Sequence, residues 1–227
     1  KEIALRSLTV CAGLFAAVIW LEGAGFLRHL DSLLAENRFK YSSRAPSGEI
    51  AFIDIDARSL QEIGVWPWPR RLYAELIARL DKMQVGEIAF DIDFSSRSNP
   101  EDDAAFARSI ADARSTLVLA TFQQKASGNR PDHALIFNRP ISELEEHGWL
   151  AEVNVSLSPD GRVWKGQFGR KIDGEPVPSM AAFLAGDSHA LGPDFMIDFS
   201  IDANAIDRVS FVDVLEGKVP PGRLAGK

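Results

Sequence analysis

Two stretches of the chain share one pattern of apolar and acidic positions. Residues 49–56 read EIAFIDID and residues 87–94 read EIAFDIDF. In each stretch a short apolar run passes into alternating apolar and aspartate positions, which is typical of a buried β-strand that ends in carboxylates. Residues 71–82 between them carry apolar side chains at helical spacing: Leu72, Leu76, Ile77 and Leu80. Strand, helix and strand at this spacing predict a right-handed βαβ unit with neighbouring parallel strands.

The pattern continues as an α/β alternation. Asn99 and Pro100 open a predicted helix with a cap and a first-turn proline, and residues 115–122 (STLVLATF) predict a third strand. Alternating runs flank residues 158–161 (SPDG), and Asp-Gly at such a place predicts a β-hairpin. The predicted fold class is therefore α/β, with a mainly parallel sheet, flanking helices and an inserted β-hairpin. A sheet of this kind usually has one more buried strand after residues 220–227, so we expect the chain to be truncated before its last strand.

The N-terminal region has a different pattern. Residues 8–21 carry no charge, Glu22 interrupts the apolar run, and the run resumes to Leu27. A spanning helix needs about twenty mostly apolar residues, a length reached only across Glu22. We predict a membrane-spanning helix within residues 1–28, with a buried core helix or a cleaved signal as the alternatives.

Two further segments follow. Residues 29–48 predict a juxtamembrane helix that runs into a linker, because apolar positions at near-helical spacing give way to Ala-Pro-Ser-Gly at residues 45–48. The α/β domain is expected at residues 49–227.

Composition narrows the possible functions. The formal net charge is -7, which argues against a nucleic-acid partner, since such proteins need basic surface to neutralise phosphates. Cys11 is the one cysteine, so the chain forms no internal disulfide and holds no cysteine-rich zinc site. The sequence contains neither a glycine-rich phosphate loop nor a recognisable nucleophile pattern. We therefore expect neither a catalytic site nor a bound cofactor in this chain.

Paired aspartates follow both of the first two predicted strands. Asp54 and Asp56 end the first strand, and Asp91 and Asp93 end the second. Ligands of α/β sheets gather at the carboxyl ends of strands, and residues two apart on a strand share a face. The four carboxylates could hold Mg²⁺ or Ca²⁺. The simpler interpretation is that they cap loops or pair with nearby arginines.

Residues 64–71 (GVWPWPRR) form the most unusual local motif. Pro67 and Pro69 fix the directions of Trp66 and Trp68, and Arg70 and Arg71 follow directly. Two guanidiniums at this point can neutralise the strand-end aspartates or bind an anionic ligand. The motif is therefore either a rigid corner that neutralises its own carboxylates or one wall of a ligand pocket. The candidate ligand-binding residues are the members of these two motifs: Asp54, Asp56, Trp66, Trp68, Arg70, Arg71, Asp91 and Asp93.

Taken together, these motifs resemble a known family. The run FIDIDARSLQEIGVWPWPRRLYAELIARL, followed by GEIAFDIDFS and SNPEDDAAFARSI, is similar to the extracytoplasmic CHASE sensor domain of the second type. That family shows a strand with Asp-x-Asp, a serine-leucine helix ending in glycine, the Trp-Pro-Trp-Pro-Arg corner and an acidic helix start, in this order. The likeness covers most of residues 30–227 and is strongest over residues 50–110.

The resemblance implies a function. Domains of this family lie outside the cytoplasmic membrane in bacterial receptors whose cytoplasmic output is a nucleotide or diguanylate cyclase, a phosphodiesterase or a kinase. We expect a sensor of a small-molecule ligand or stimulus, held in the inner membrane with residues from about 29 on outside, and acting as a homodimer. The alternatives are a Mg²⁺-dependent phosphotransferase that uses the Asp-x-Asp strand end, and a structural dimerisation domain.

Overall fold

The computed structural model describes the chain at residues 2–23, 34, 37–39, 41–64, 66–125, 135–187 and 191–227. The chain divides into two compact units. The first comprises Lys1–Pro46 and Asp198–Ala205, and the second comprises Ser47–Ile197 and Ile206–Lys227.

The first unit contains helix α1, Glu2–Gly23. Within the described part of the chain, no helix is both long enough and apolar enough to cross a membrane. The membrane-spanning helix predicted within residues 1–28 is therefore not supported, and residues 24–28 lie outside the described residues. The uncharged run of residues 8–21 is shorter than the about twenty residues that a span requires.

Within the first unit, local contacts join residues 39–44 to the segment of residues 198–205. Arg44 forms a parallel bridge with Ile201, and its guanidinium lies 2.5 Å from the carboxylate of Asp198. The rings of Phe39 and Phe199 meet edge to face, with centroids 5.8 Å apart. Of the predicted helix after residue 29, the structure describes residues 34, 37–39 and 41 as helical.

The second unit alternates strands and helices. Its helices are α2 Ala57–Ile63, α3 Arg71–Lys82, α4 Pro100–Asp112, α5 Ser142–Glu145, α6 Met180–Leu184 and α7 Phe211–Leu215. Its strands are β1 Ala51–Asp54, β2 Glu87–Phe90, β3 Thr116–Lys125, β4 Leu135–Asn138, β5 Trp149–Glu152, β6 Lys165–Gly166, β7 Gly169–Ile172, β8 Glu175–Pro178, β9 Phe195–Met196 and β10 Asp207–Ser210. The predicted α/β class is confirmed.

The main sheet is small and is centred on β3. Strands β2 and β5 lie parallel to β3 on its two sides, and β4 is antiparallel to the second half of β3. A separate parallel pair joins β1 to β10, in the register Ala51↔Asp207. The parallel pairing is thus divided between two small sheets, whereas the sequence predicts one mainly parallel sheet.

The expected pairing of the first two strands is wrong. Among the described residues β1 pairs with β10, a strand more than 150 positions later, and β2 pairs with β3. The apolar pattern marks which segments are strands, but packing across the whole domain decides which strands are neighbours. Helix α3 packs against both α4, which connects β2 to β3, and α7, which follows β10.

The inserted hairpin forms at Asp173 and Gly174, whereas the sequence predicts it at Asp160 and Gly161. Residues 158–161 do form a turn, because Ser158 donates its N–H to the carbonyl of Arg162 at 2.8 Å. The flanking runs do not pair with each other: β6 pairs with β9. The two-stranded hairpin is β7–β8, whose turn places Asp173 at φ 52° and Gly174 at φ 90°. Both turn residues need the left-handed conformation, which Asp-Gly supplies.

The core of the second unit gathers around Tyr73, which is 2% exposed. Four phenylalanine rings lie with centroids 5.4–6.0 Å from its ring: Phe90, Phe94, Phe106 and Phe211. Phe90 ends β2 and Phe94 follows it, Phe106 lies on α4, and Phe211 begins α7 directly after β10, so the aromatic cluster joins the carboxyl ends of β2 and β10 to the helices. Edge-to-face pairs of this kind stabilise beyond the area that they bury.

Candidate functional site

The Trp-Pro corner follows α2 and contributes one tryptophan to this core. Trp68 is 3% exposed, its ring centroid lies 4.9 Å from that of Phe211, and its Nε1 donates to the carbonyl of Gly64 at 3.0 Å. Trp66 is 42% exposed and rests edge-on against Trp68, with centroids 5.4 Å apart. The peptide bond between Trp66 and Pro67 is cis. One indole is therefore a core residue, and the other presents an aromatic surface.

Arg70 is buried beneath the segment that links β2 to α4. Its Nη1 lies 2.8 Å from Oδ1 of Asp103, and its Nη2 donates to the carbonyls of Phe94 and Ser96. The guanidinium also stands over the ring of Phe94, 5.4 Å from its centroid. Since Arg70 is 5% exposed and both of its Nη atoms bond to the protein, its guanidinium serves the fold.

Arg71 is the surface counterpart. Its Nη1 lies 3.2 Å from Oδ2 of Asp102, and 63% of its side chain is exposed. The two arginines thus pair with the first turn of α4, which needs acids to complement its positive end. The corner does neutralise carboxylates of its own chain, as one interpretation predicted. The carboxylates are those of Asp102 and Asp103, however, and the prediction that they are the strand-end aspartates is wrong.

Asp54 is held by a different arginine. Its two carboxylate oxygens accept from Nε and Nη2 of Arg208 at 2.8 and 2.6 Å, a bidentate pair across the β1–β10 ladder. The same guanidinium stands 5.0 Å from the ring centroid of Phe52. Both carboxylate oxygens of Asp54 are thus already engaged by Arg208, which disfavours a metal ion at this carboxylate.

Asp56 caps helix α2. Its Oδ1 accepts from the N–H of Ser59 at 2.8 Å and from the hydroxyl of Ser210 at 3.1 Å. Ser59 is fully buried, its hydroxyl lies 3.0 Å from that of Ser210, and it accepts from the N–H of Val212 at 3.2 Å. The hydrogen bond from the Ser59 N–H is the main cause that holds the pKa of Asp56 below its usual value. This network joins the start of α2 to the start of α7.

Asp91 and Asp93 lie exposed in the segment after β2. Asp93 accepts from the N–H of Ser95 at 2.8 Å, which is a local turn contact. Over the described ranges, no three histidine, cysteine, aspartate or glutamate side chains are grouped so that they could hold a metal ion. The structure therefore does not bring the two Asp-x-Asp pairs together as a metal site.

Sequence reasoning missed the partners that give these residues their roles. Asp103 is present in the sequence analysis only within the acidic helix start of the run SNPEDDAAFARSI, and Ser59 and Ser210 were not singled out. Their contacts join segments 33 to 151 residues apart in the chain. A serine three residues after a strand-end aspartate is the one local signal, since it fits an N-cap geometry.

The chain was compared with known proteins. A family model described as CHASE2 domain matches residues 11–227. Neither the curated proteins nor the solved structures contain a match.

Proposed function

Since the chain belongs to the CHASE2 domain family, an extracellular sensory domain family of signalling receptors, we propose that it senses a small-molecule ligand or stimulus for a bacterial transmembrane receptor. The family match over residues 11–227 carries this proposal. In it, the domain regulates a cytoplasmic output module, either a nucleotide or diguanylate cyclase, a phosphodiesterase or a kinase. The domain itself performs no chemistry.

The contacts of the strand-end aspartates support a sensory role over a phosphotransferase. A phosphoryl-transfer site needs carboxylates that are free to bind Mg²⁺ and the phosphate. Asp54 is bound bidentately by Arg208, and Asp56 is engaged as a helix cap by Ser59. These contacts count against the phosphotransferase alternative.

The exposed parts of the corner are the proposed contact surface for a ligand or a second copy of the domain. Trp66 and Arg71 are exposed on the corner, and Asp91 and Asp93 are exposed on the segment after β2. Arg70 joins that segment to the corner through the carbonyl oxygens of residues 94 and 96. An exposed aromatic side chain with nearby charges is a common centre for recognition.

We further propose that the domain lies on the outer side of the cytoplasmic membrane and acts as a homodimer. In a dimeric receptor a ligand changes output by binding one arrangement of the two domains more tightly than the other. Such regulation needs only a difference between the ligand affinities of the two arrangements. A site that binds its ligand without turnover is therefore sufficient.

The test uses the complete receptor in its own membrane and measures its output activity across growth conditions. Trp66→Ala is expected to change the range of output, because it removes the exposed indole and leaves the buried one in place. Trp149→Ala is the matched control, since Trp149 is 60% exposed and lies on β5. An unchanged output from a folded Trp66→Ala receptor in all conditions would count against the proposed surface.

A further inference from the structure

Each of the two parallel sheets of the second unit has one open edge near the C-terminal segment. Over the described residues, β10 pairs only with β1, and β2 pairs only with β3. Backbone N–H and C=O groups on an open edge have no ladder partner, so they can pair with another extended chain. The positions of these two edges show which chain suits them.

The two strands begin beside the same residue, Lys227. Its carbonyl accepts from the N–H groups of Gly86 and Glu87 at 2.7 and 3.2 Å, where β2 begins. Its Nζ lies 3.3 Å from Oδ2 of Asp207, the first residue of β10. One residue at the end of the C-terminal segment therefore reaches the starts of both strands.

The two strands also end at the same place. Phe90 is the last residue of β2, and Phe211 directly follows β10. The ring centroid of Tyr73 lies 6.0 Å from that of each phenylalanine. Since both strands start at the C-terminal segment and end at this ring, they run in the same direction.

Alternate residues of β2 direct their backbone groups at opposite edges. The carbonyl of Gly86 accepts from the N–H of Thr116 at 2.9 Å, so it faces β3. Glu87 donates its N–H instead to the carbonyl of Lys227, which lies on the open side. Because backbone direction alternates along a strand, the N–H and C=O of Ala89 also face the open edge. The hydrogen bond between Glu87 and Lys227 is thus placed as the first bond of a further ladder.

The start of β10 is met by a side chain instead of a strand. Nη2 of Arg223 donates to the carbonyl of Arg208 at 3.0 Å, and the same nitrogen lies 2.6 Å from the carboxylate of Asp207. In the part of the chain that the structure describes, no backbone hydrogen bond joins the rest of this strand to any strand but β1.

The separation of the two open edges fits one strand. Direct neighbours lie about 4.8 Å apart and share a ladder, which β2 and β10 do not, whereas two strands that flank a third lie about 10 Å apart. Lys227 reaches both strands, which leaves room for one chain between them and not for two. Ile88 of β2, Val209 of β10 and Leu224 of the C-terminal segment are buried in one hydrophobic core.

From this geometry we propose that the segment which follows Lys227 in the receptor forms a parallel strand between β2 and β10. The sheet order becomes β1, β10, the added strand, β2, β3 and β5, so the two parallel sheets become one. The occupant is an extended, mainly apolar run without proline, because it is buried and pairs through its backbone on both sides. Its length matches that of β2 and β10, which have four residues each.

The added strand deepens the proposed function and rests on it in one respect, namely that the receptor continues beyond Lys227. The pairing itself rests on the contacts of the two edges. The strand would end beside Tyr73 and Phe211, and Phe211 also contacts Trp68 of the Trp-Pro corner, with ring centroids 4.9 Å apart. It would thus connect the proposed contact surface to the part of the receptor that follows.

The experiment measures amide hydrogen exchange at single residues in the complete receptor. In one variant, about ten residues after Lys227 are replaced by alternating glycine and serine, which form flexible coil. We expect the N–H of Ala89 to be protected in the unsubstituted receptor and to exchange at least about tenfold faster in the variant, because it loses its ladder partner. Val118 is the matched control, since it is fully buried and stands opposite Ala89 on β3. Its exchange should stay unchanged.

Two results would overturn the proposal. The first is an Ala89 amide that exchanges as fast in the unsubstituted receptor as an exposed amide, or equally fast in both receptors while Val118 stays protected. The second is protection of Ala89 that is lost on dilution, because a second copy of the domain would then fill the edge. If the replacement exposes Val118 as well, the unsubstituted receptor decides, and Ala89 must be protected there at every concentration.

These results are separate from the test of the sensory role. Exchange at Ala89 depends on strand pairing alone, whereas the sensory role is measured by the output of the Trp66→Ala receptor. A failed exchange test would therefore remove the added strand and leave the proposed function in place.

Discussion

Arg70 and Asp103 form a buried ion pair, with Nη1 2.8 Å from Oδ1 and with 6% of each side chain exposed. Arg70 belongs to the Trp-Pro corner, and Asp103 belongs to the first turn of helix α4. The other carboxylate oxygen of Asp103 accepts from the N–H of Ser98 at 3.0 Å. The pair therefore fastens the corner, the segment after β2 and the next helix into one structure.

Removal of Arg70 should cost much more stability than removal of its neighbour. Arg70→Ala leaves the Asp103 carboxylate buried and unpaired, which costs about 3–5 kcal/mol. Arg71→Ala removes a guanidinium that is 63% exposed from the buried carboxylate of Asp102, so water can partly replace it and the cost should be lower, about 1 kcal/mol. Urea unfolding of the two variants measures the difference. Equal losses would show that burial of the Arg70 pair has no energetic weight.

The two tryptophans of the corner should separate in the same way. Trp68→Ala removes a buried indole that contacts Phe211, and a large core truncation costs about 3–5 kcal/mol. Trp66→Ala removes an indole that is 42% exposed, so its cost should be a small fraction of that value. Thermal unfolding gives both numbers. The assignment of Trp68 to the core and Trp66 to the surface fails if their order is reversed.

The strands and helices of the domain could be predicted largely from periodicity, because apolar alternation and helical spacing are local signals. The helix over residues 71–82 and the strands at residues 51–54, 87–90 and within 115–125 appear where the pattern places them. Their neighbours could not be predicted. The partner of β1 is supplied by residues 207–210, and no local pattern encodes a pairing over such a distance.

The candidate site was predicted only in part, for the same reason. The sequence identifies an arginine beside paired prolines, but not that Arg70 is buried against Asp103. It identifies Asp54 and Asp56, but not that Arg208 and Ser59 already bind them. Glu152 looks unremarkable in the sequence WLAE, and only the fold shows that it is buried beside Arg170.

The cap of helix α2 predicts a pH-dependent contribution from Asp56. Asp56→Ala should cost about 0.5–2 kcal/mol, and Asp56→Asn, which keeps an oxygen acceptor, should cost less. The folded state lowers the pKa of Asp56 from 3.8, so the stabilisation is fully present above that pH and is lost as the pH falls through the folded pKa. Unfolding free energies of the unsubstituted chain and Asp56→Ala should therefore converge in strong acid. A constant gap down to the acid limit would contradict this contribution.

Glu152 predicts a pH dependence of the opposite sign. Burial raises its pKa from 4.5, so the folded state binds the proton more tightly than the unfolded chain does. Its contribution to stability is greatest below pH 4.5 and is lost as the pH rises through the folded pKa. Glu152→Gln cannot ionise, so its stability should gain on that of the unsubstituted chain over this rise. Parallel stability curves from acid to neutral pH would argue against a strained buried carboxylate.

The most direct test of the sensory role is the side of the membrane on which the domain lies. Alkaline phosphatase, which is active only after export, and β-galactosidase, which is active only in the cytoplasm, are fused in turn after Lys227 in a bacterial host, with and without residues 1–40. A domain outside the membrane should give an active phosphatase fusion that depends on residues 1–40, and an inactive β-galactosidase fusion. Stable fusions with the reverse activities would place the domain in the cytoplasm and contradict the proposed function.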